Sequence, residues 1–144
     1  MLTGTPDEAP LIRTVRQHMR SAALDLSGRT TLWTLGALLE RARLLVCKDT
    51  GVQHVAAALG TPSVAVSSGA DVARWAPLDA TRHRVLWADA ACRPCGHREC
   101  PTGHECALGV SVDEVAVAAL AALRQPDDRR RAATREAVAA TAAG

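Results

Sequence analysis

Leu44-Leu45-Val46-Cys47-Lys48-Asp49-Thr50-Gly51-Val52-Gln53-His54-Val55-Ala56-Ala57-Ala58-Leu59-Gly60-Thr61-Pro62-Ser63-Val64-Ala65-Val66 is the stretch that decides the fold. Its ends, 44–47 and 63–66, are short and apolar on both faces, and a helix of small residues is expected between them, from Gly51 to Leu59. Strands of that kind are buried on both faces, as in a parallel sheet. Gly60 ends the helix where a left-handed residue has no steric cost, and Thr61-Pro62 turn the chain into the second strand. The stretch is therefore a βαβ unit, and the fold class is α/β: a Rossmann-like parallel sheet flanked by helices.

Upstream, Met1-Leu2-Thr3-Gly4 reads as the end of a strand, Pro6 as the opening of a helix to about Arg20, and Ala23-Leu24-Asp25-Leu26 as a further short strand. Thr30 or Thr31 caps a helix whose Leu32, Leu35, Leu38, Leu39 and Ala42 recur at intervals of three and four. Downstream, residues 67–84 look like loop, and Val85-Leu86-Trp87 like an edge strand before a cysteine-rich segment. Ser111-Val112-Asp113-Glu114 is a capping box flanked by Val110 and Val115 as a hydrophobic staple, opening a helix to Arg124. Gln125-Pro126-Asp127-Asp128 breaks that helix. The expected organisation is one domain over 1–125, including a cysteine-rich loop at 88–109, and a helical or frayed tail over 126–144.

With 144 residues, 48% of them hydrophobic, the chain is long enough for one real core. No Phe and no Tyr occur, so Ala, Val and Leu must fill that core and helix and sheet must approach closely. Lys and Arg number 17 against 15 Asp and Glu, and a net charge of +2 provides no broad field for a polyanion, so nucleic acid is not an expected partner. Neither a signal peptide nor a run of about 18 apolar residues occurs, which predicts a cytoplasmic chain without a transmembrane segment. Arg129-Arg130-Arg131 would be the only contact with the inner face of a membrane, and a run of three is ordinarily solvated.

Asp49-Thr50-Gly51 falls where strand passes into helix, at the carboxyl edge of the sheet, where open α/β folds bind ligands. Unpaired N–H groups in the first helical turn and the helix dipole favour an anion there, and Gly51 has no Cβ to keep a phosphate away. On a helical wheel Val52, Val55, Ala56 and Leu59 share the inner face, and Thr50 and His54 lie within about 40° of each other on the outer one. His54 is then free to donate to a diphosphate, and Asp49 to accept from sugar hydroxyls. A plainer reading has Asp49 capping the helix and His54 solvated. Lys48 reads as a solvated strand end, and Trp75 as a packing residue closing its loop.

From Leu26 to Val115 the chain resembles the carboxyl-terminal domain of the ADP-heptose:lipopolysaccharide heptosyltransferases, glycosyltransferase family 9. The resemblance is carried by Asp25-Leu26-Ser27-Gly28-Arg29-Thr30-Thr31-Leu32, by Lys48-Asp49-Thr50-Gly51 with His54-Val55-Ala56-Ala57-Ala58-Leu59-Gly60-Thr61-Pro62, by Ala73-Arg74-Trp75-Ala76-Pro77-Leu78, and by four cysteines in a loop. It implies the donor half of a GT-B glycosyltransferase that moves a hexose or heptose from a nucleotide-diphosphate sugar, ADP-heptose-like, to a glycan or lipopolysaccharide-core acceptor. Asp49 would touch the donor sugar, Thr50, Gly51 and His54 the diphosphate, and Glu8 the nucleotide. In the family an amino-terminal domain supplies the acceptor site and the catalytic Asp, so the resemblance implies no catalytic residue in this chain and a partner domain to complete it. Two departures stand out: Lys48 replaces the usual Asn or Ser, and Ser67-Ser68-Gly69-Ala70-Asp71-Val72 replaces a Gly-Pro-Thr-Asp-Pro pattern.

Cys92, Cys95, Cys100 and Cys106 follow the spacing C-x2-C-x4-C-x5-C. A structural zinc, a disulfide pairing and plain thiols are the three readings, and the family resemblance carries the cysteines without making any metal essential to transfer. In each, the segment is a staple for a long loop. Were the cysteines the functional centre, the chain would instead be a small zinc-binding interaction module.

Overall fold

The computed structural model describes residues 1–97 and 99–126. They belong to two compact units, one from Met1 to Arg41 and one beginning at Ala42. The tail expected over 126–144 lies, apart from Pro126, outside the described residues.

In the first unit a 3-10 turn, Pro6–Glu8, runs into helix α1, Ala9–His18. Glu8 accepts at one carboxylate oxygen from the Thr5 N–H at 2.8 Å and the Thr5 hydroxyl at 3.1 Å, which ties the start of the turn. The helix stops short of Arg20, because Met19 is already extended. The two strands expected at 1–4 and 23–26 shrink to a single parallel bridge between Leu2 and Asp25. Asp25 explains the shrinkage: its carboxylate accepts from the N–H and hydroxyl of Ser27, at 3.0 and 2.6 Å, and folds the chain into a turn instead of a longer strand. Those same donors, the hydroxyl first, hold the Asp25 carboxyl below its ordinary range. Helix α2, Leu32–Arg41, is capped by Thr31, whose hydroxyl accepts from the Thr34 N–H at 3.2 Å.

The second unit is built on a parallel sheet of β1 (Leu45–Lys48), β2 (Ser63–Val66) and β3 (His83–Leu86), in that spatial order. Helix α3, Gly51–Ala58, crosses from β1 to β2 and packs on both, and α6, Val112–Arg124, packs on β2. Short helices α4, Val72–Trp75, and α5, Glu105–Leu108, lie in the long connections. Gly60 has φ of +67°, the left-handed conformation its place after α3 requires. At α6 the expected capping box is formed, with Ser111 accepting from the Glu114 N–H at 3.2 Å and Glu114 from the Ser111 N–H at 2.8 Å. Arg43 donates to the Leu123 carbonyl at 2.9 Å and so ties the last turn of α6 to the segment before β1.

Burial corrects the sequence reading in three places. Only β2 is buried on both faces; β1 alternates, with Val46 52% exposed. In α3 the most deeply buried residues are Ala56 and, unexpectedly, Gln53, which is 1% exposed. Among the described residues the Gln53 amide nitrogen has no partner, a deficit of about 1–3 kcal/mol for such a group. Finally, β3 starts at His83, two residues before the apolar run begins.

His83 is buried inside the sheet, its Nδ1 2.9 Å from the Ser63 hydroxyl of β2. Burial, partly opposed by the charge of Asp79, holds its pKa below the ordinary 6.5. As pH falls, the unfolded chain therefore binds this proton before the folded one does. The stability contributed by neutral His83 is complete above the ordinary value and declines as pH drops through it towards the folded value. Thermal unfolding followed by circular dichroism should show a midpoint that falls between pH 7.5 and 5.5, and His83→Asn should flatten that dependence. Equal slopes in the two proteins would contradict the assignment.

Candidate functional site

The carboxyl ends of β1 and β2 finish side by side, with Lys48 paired to Val66. The ladder continues one step further, since the Asp49 N–H donates to the Val66 carbonyl at 2.9 Å. That step sets Asp49 beside Ser67, whose buried hydroxyl donates to Asp49 Oδ2 at 3.1 Å. Asp49 is half-buried, and its carboxylate is held by a residue of the neighbouring strand end.

Thr50 is the N-cap of α3, in extended conformation, and its side chain makes no capping bond. Its hydroxyl turns back towards the Lys48 carbonyl, at 3.4 Å. The plainer reading of the motif thus does not hold for Asp49: the cap position belongs to Thr50, whose side chain makes no capping bond. Gly51 is exposed, and a Cβ built on it would meet no atom within 4 Å, so the approach to the first-turn N–H groups is open. The Gln53 N–H already donates to the Thr50 carbonyl at 3.0 Å, so an anion delivered there would meet the N–H groups of Gly51 and Val52 and the positive end of the helix dipole.

His54 projects into solvent from the same turn. The Trp75 ring of α4 stands edge-on to it, centroids 6.4 Å apart at 61°, and the Arg74 guanidinium lies 5.2 Å from the Trp75 centroid. Trp75 is 50% exposed, so it does not close its loop as a packing residue would; it flanks the candidate anion site. Lys48 is exposed, and its carbonyl is the atom that the Thr50 hydroxyl approaches. Cys47, next to Asp49, has its thiol pushed up to about 11, by burial first and the charge of Asp49 second. It stays protonated near neutral pH and is no nucleophile.

Asp49, Thr50, Gly51 and His54 thus come together at one edge of the second unit. Glu8 lies in the first unit, where its carboxylate serves the Thr5 turn. Sequence reasoning gave Ser67 and Arg74 no role at this site and read Trp75 as a packing residue. Ser67 carries a faint signal, as the first polar residue after β2, yet its meeting with Asp49 depends on a strand register that the residues alone do not fix.

The cysteines carry free thiols, and among the described residues no three His, Cys, Asp or Glu side chains come close enough to hold a metal ion. Neither a disulfide nor a zinc cluster at Cys92, Cys95, Cys100 and Cys106 is seen. Cys100 accepts from the His104 N–H at 3.0 Å, and backbone donors, Thr102 foremost, draw its thiol below the ordinary value. No described helix is long and apolar enough to cross a membrane.

A family model described as glycosyltransferase family 9 (heptosyltransferase) matches residues 1–105. Lipopolysaccharide heptosyltransferase 3 of Escherichia coli is 31% identical over 80 residues, which are 54% of this chain and 24% of that protein. The crystal structure of a family 9 glycosyl transferase from Veillonella parvula matches with a TM-score of 0.70 at 22% identity, over 84% of this chain and 35% of that one. At that identity the likeness speaks to the fold alone, and it agrees with the α/β class expected from the sequence. The chain spans about a quarter of the curated relative and about a third of the solved one.

Proposed function

The chain belongs to glycosyltransferase family 9, and from that premise we propose that its second unit binds the diphosphate sugar of a nucleotide donor, ADP-heptose-like, for transfer to a glycan or lipopolysaccharide-core acceptor. One observation carries the reading: the uncapped, sterically open N-terminus of α3 lies directly after a carboxylate that is fixed in place but not used to cap the helix. The first-turn N–H groups and His54 hold the diphosphate, and Asp49 accepts from hydroxyls of the sugar.

Transfer at the anomeric carbon requires stabilisation of the departing diphosphate and a base for the acceptor's proton. The α3 site supplies the first. The base and the acceptor site are assigned to a further domain, so this chain by itself binds donor without transferring it. Titration calorimetry with ADP-heptose, ADP-glucose and UDP-glucose is the direct test. ADP-heptose is expected to bind best, and absence of heat with all three at millimolar concentration would overturn the reading. Sustained sugar transfer by this chain alone would overturn the division of labour.

A further inference from the structure

The cysteine-rich loop, which the sequence presents as a separate staple, reaches the same sheet edge as Asp49. The Cys95 N–H donates to the Gly69 carbonyl at 2.8 Å, and a Cβ built on Gly69 would come within 2.7 Å of the Cys95 Cβ, so the two loops are in direct backbone contact. Between the first two cysteines of the loop stands Arg93. Its Nη1 donates to the Ser68 carbonyl at 2.8 Å and the Ala88 carbonyl at 3.2 Å, and its Nη2 to the Ser67 hydroxyl at 3.0 Å. One guanidinium thereby ties the segment after β2 to the segment after β3.

The hydroxyl of Ser67 has a single hydrogen. With Asp49 Oδ2 as its acceptor at 3.1 Å, the lone pairs of the same oxygen remain for Arg93. Both bonds are therefore satisfied at once and point the same way, from guanidinium to hydroxyl to carboxylate. Ser67 is 1% exposed, so water does not compete for its place in this relay. An arginine fits here where a lysine would not, because its planar fork addresses three acceptors from fixed directions.

We infer that Arg93 is a positioning residue for donor recognition, acting through Ser67 to hold the Asp49 carboxylate in the orientation that receives the sugar. The inference rests on the donor reading given above. It assigns the loop a role in specificity: the loop locks the group that reads the sugar and leaves the group that holds the diphosphate untouched.

The test compares ADP with ADP-heptose as calorimetric ligands of the whole chain, in wild type, Ser67→Ala and Arg93→Gln. Each substitution should weaken ADP-heptose binding by roughly tenfold, the scale of one lost charge-assisted hydrogen bond, and leave ADP binding within about twofold of wild type. In an Asp49→Ala background the same substitutions should add nothing, since their target is gone. Ser67→Ala removes one buried oxygen and its single bond from Arg93 but leaves the bonds from Arg93 to the Ser68 and Ala88 carbonyls, which keeps the comparison valid if Arg93→Gln folds poorly. Unchanged ADP-heptose affinity in Ser67→Ala, or equal loss of ADP and ADP-heptose, would overturn the relay and leave the donor reading standing. A wild type that binds neither ligand would remove the donor reading and the relay with it.

Discussion

Gly51→Val is expected to abolish measurable binding of ADP and of ADP-heptose while the protein folds as before. Gly51 is the first residue of α3, exposed, with no atom within 4 Å of where a Cβ would stand. The fold therefore accommodates the side chain, and replacing glycine in a helix changes stability by only a few tenths of a kcal/mol, in the favourable direction. The same empty volume is the path by which a phosphate reaches the first-turn N–H groups. Three methyl-sized carbons there hold the anion beyond hydrogen-bond range of the helix, and each charge-assisted bond lost is worth about 1.5–3 kcal/mol. Two such bonds correspond to at least about a hundredfold in affinity. Calorimetry gives the binding and a denaturation curve the stability. A variant that binds either ligand normally would remove the α3 N-terminus from the site.

Asp49→Ala should give the complementary result, a selective loss. ADP binding should stay near wild type, because the diphosphate is held by α3 and His54, and ADP-heptose binding should fall to the level of ADP. A carboxylate accepting from one sugar hydroxyl contributes about 1.5–3 kcal/mol, so the expected loss is roughly tenfold to a hundredfold. The measured quantity is the ratio of the two affinities, which general damage to the fold would leave unchanged. Loss of ADP along with the sugar would show that Asp49 supports the helix start and does not read the sugar.

The placement of Asp49, Thr50, Gly51 and His54 at the start of α3 was legible in the sequence because each depends on its immediate neighbours. An apolar run, then Asp49-Thr50-Gly51, then a helix closed by Gly60 can fold as a βαβ unit in few other ways. Ser111 and Glu114 likewise find one another within a single turn, and their capping box is formed as expected. The strands were less legible. At Asp25 a local turn outcompetes the longer strand that Ala23 to Leu26 suggest, and at His83 a polar residue enters the sheet because Ser63 on the next strand is there to meet it.

By itself the sequence determined the α/β class, the helix that opens at Gly51 and the residues Asp49, Thr50, Gly51 and His54 at its start. Only the tertiary structure decided that Gln53 faces inward, that Trp75 flanks His54, and that Arg93 reaches Asp49 by way of Ser67. The physical reason is range. Helix periods, caps and turns are set by groups a few residues apart, which composition and spacing expose. Ser67 is 18 residues from Asp49 and Arg93 is 26 from Ser67. Such pairs are fixed by strand register and loop docking, where a shift of one residue would send every side chain to the opposite face.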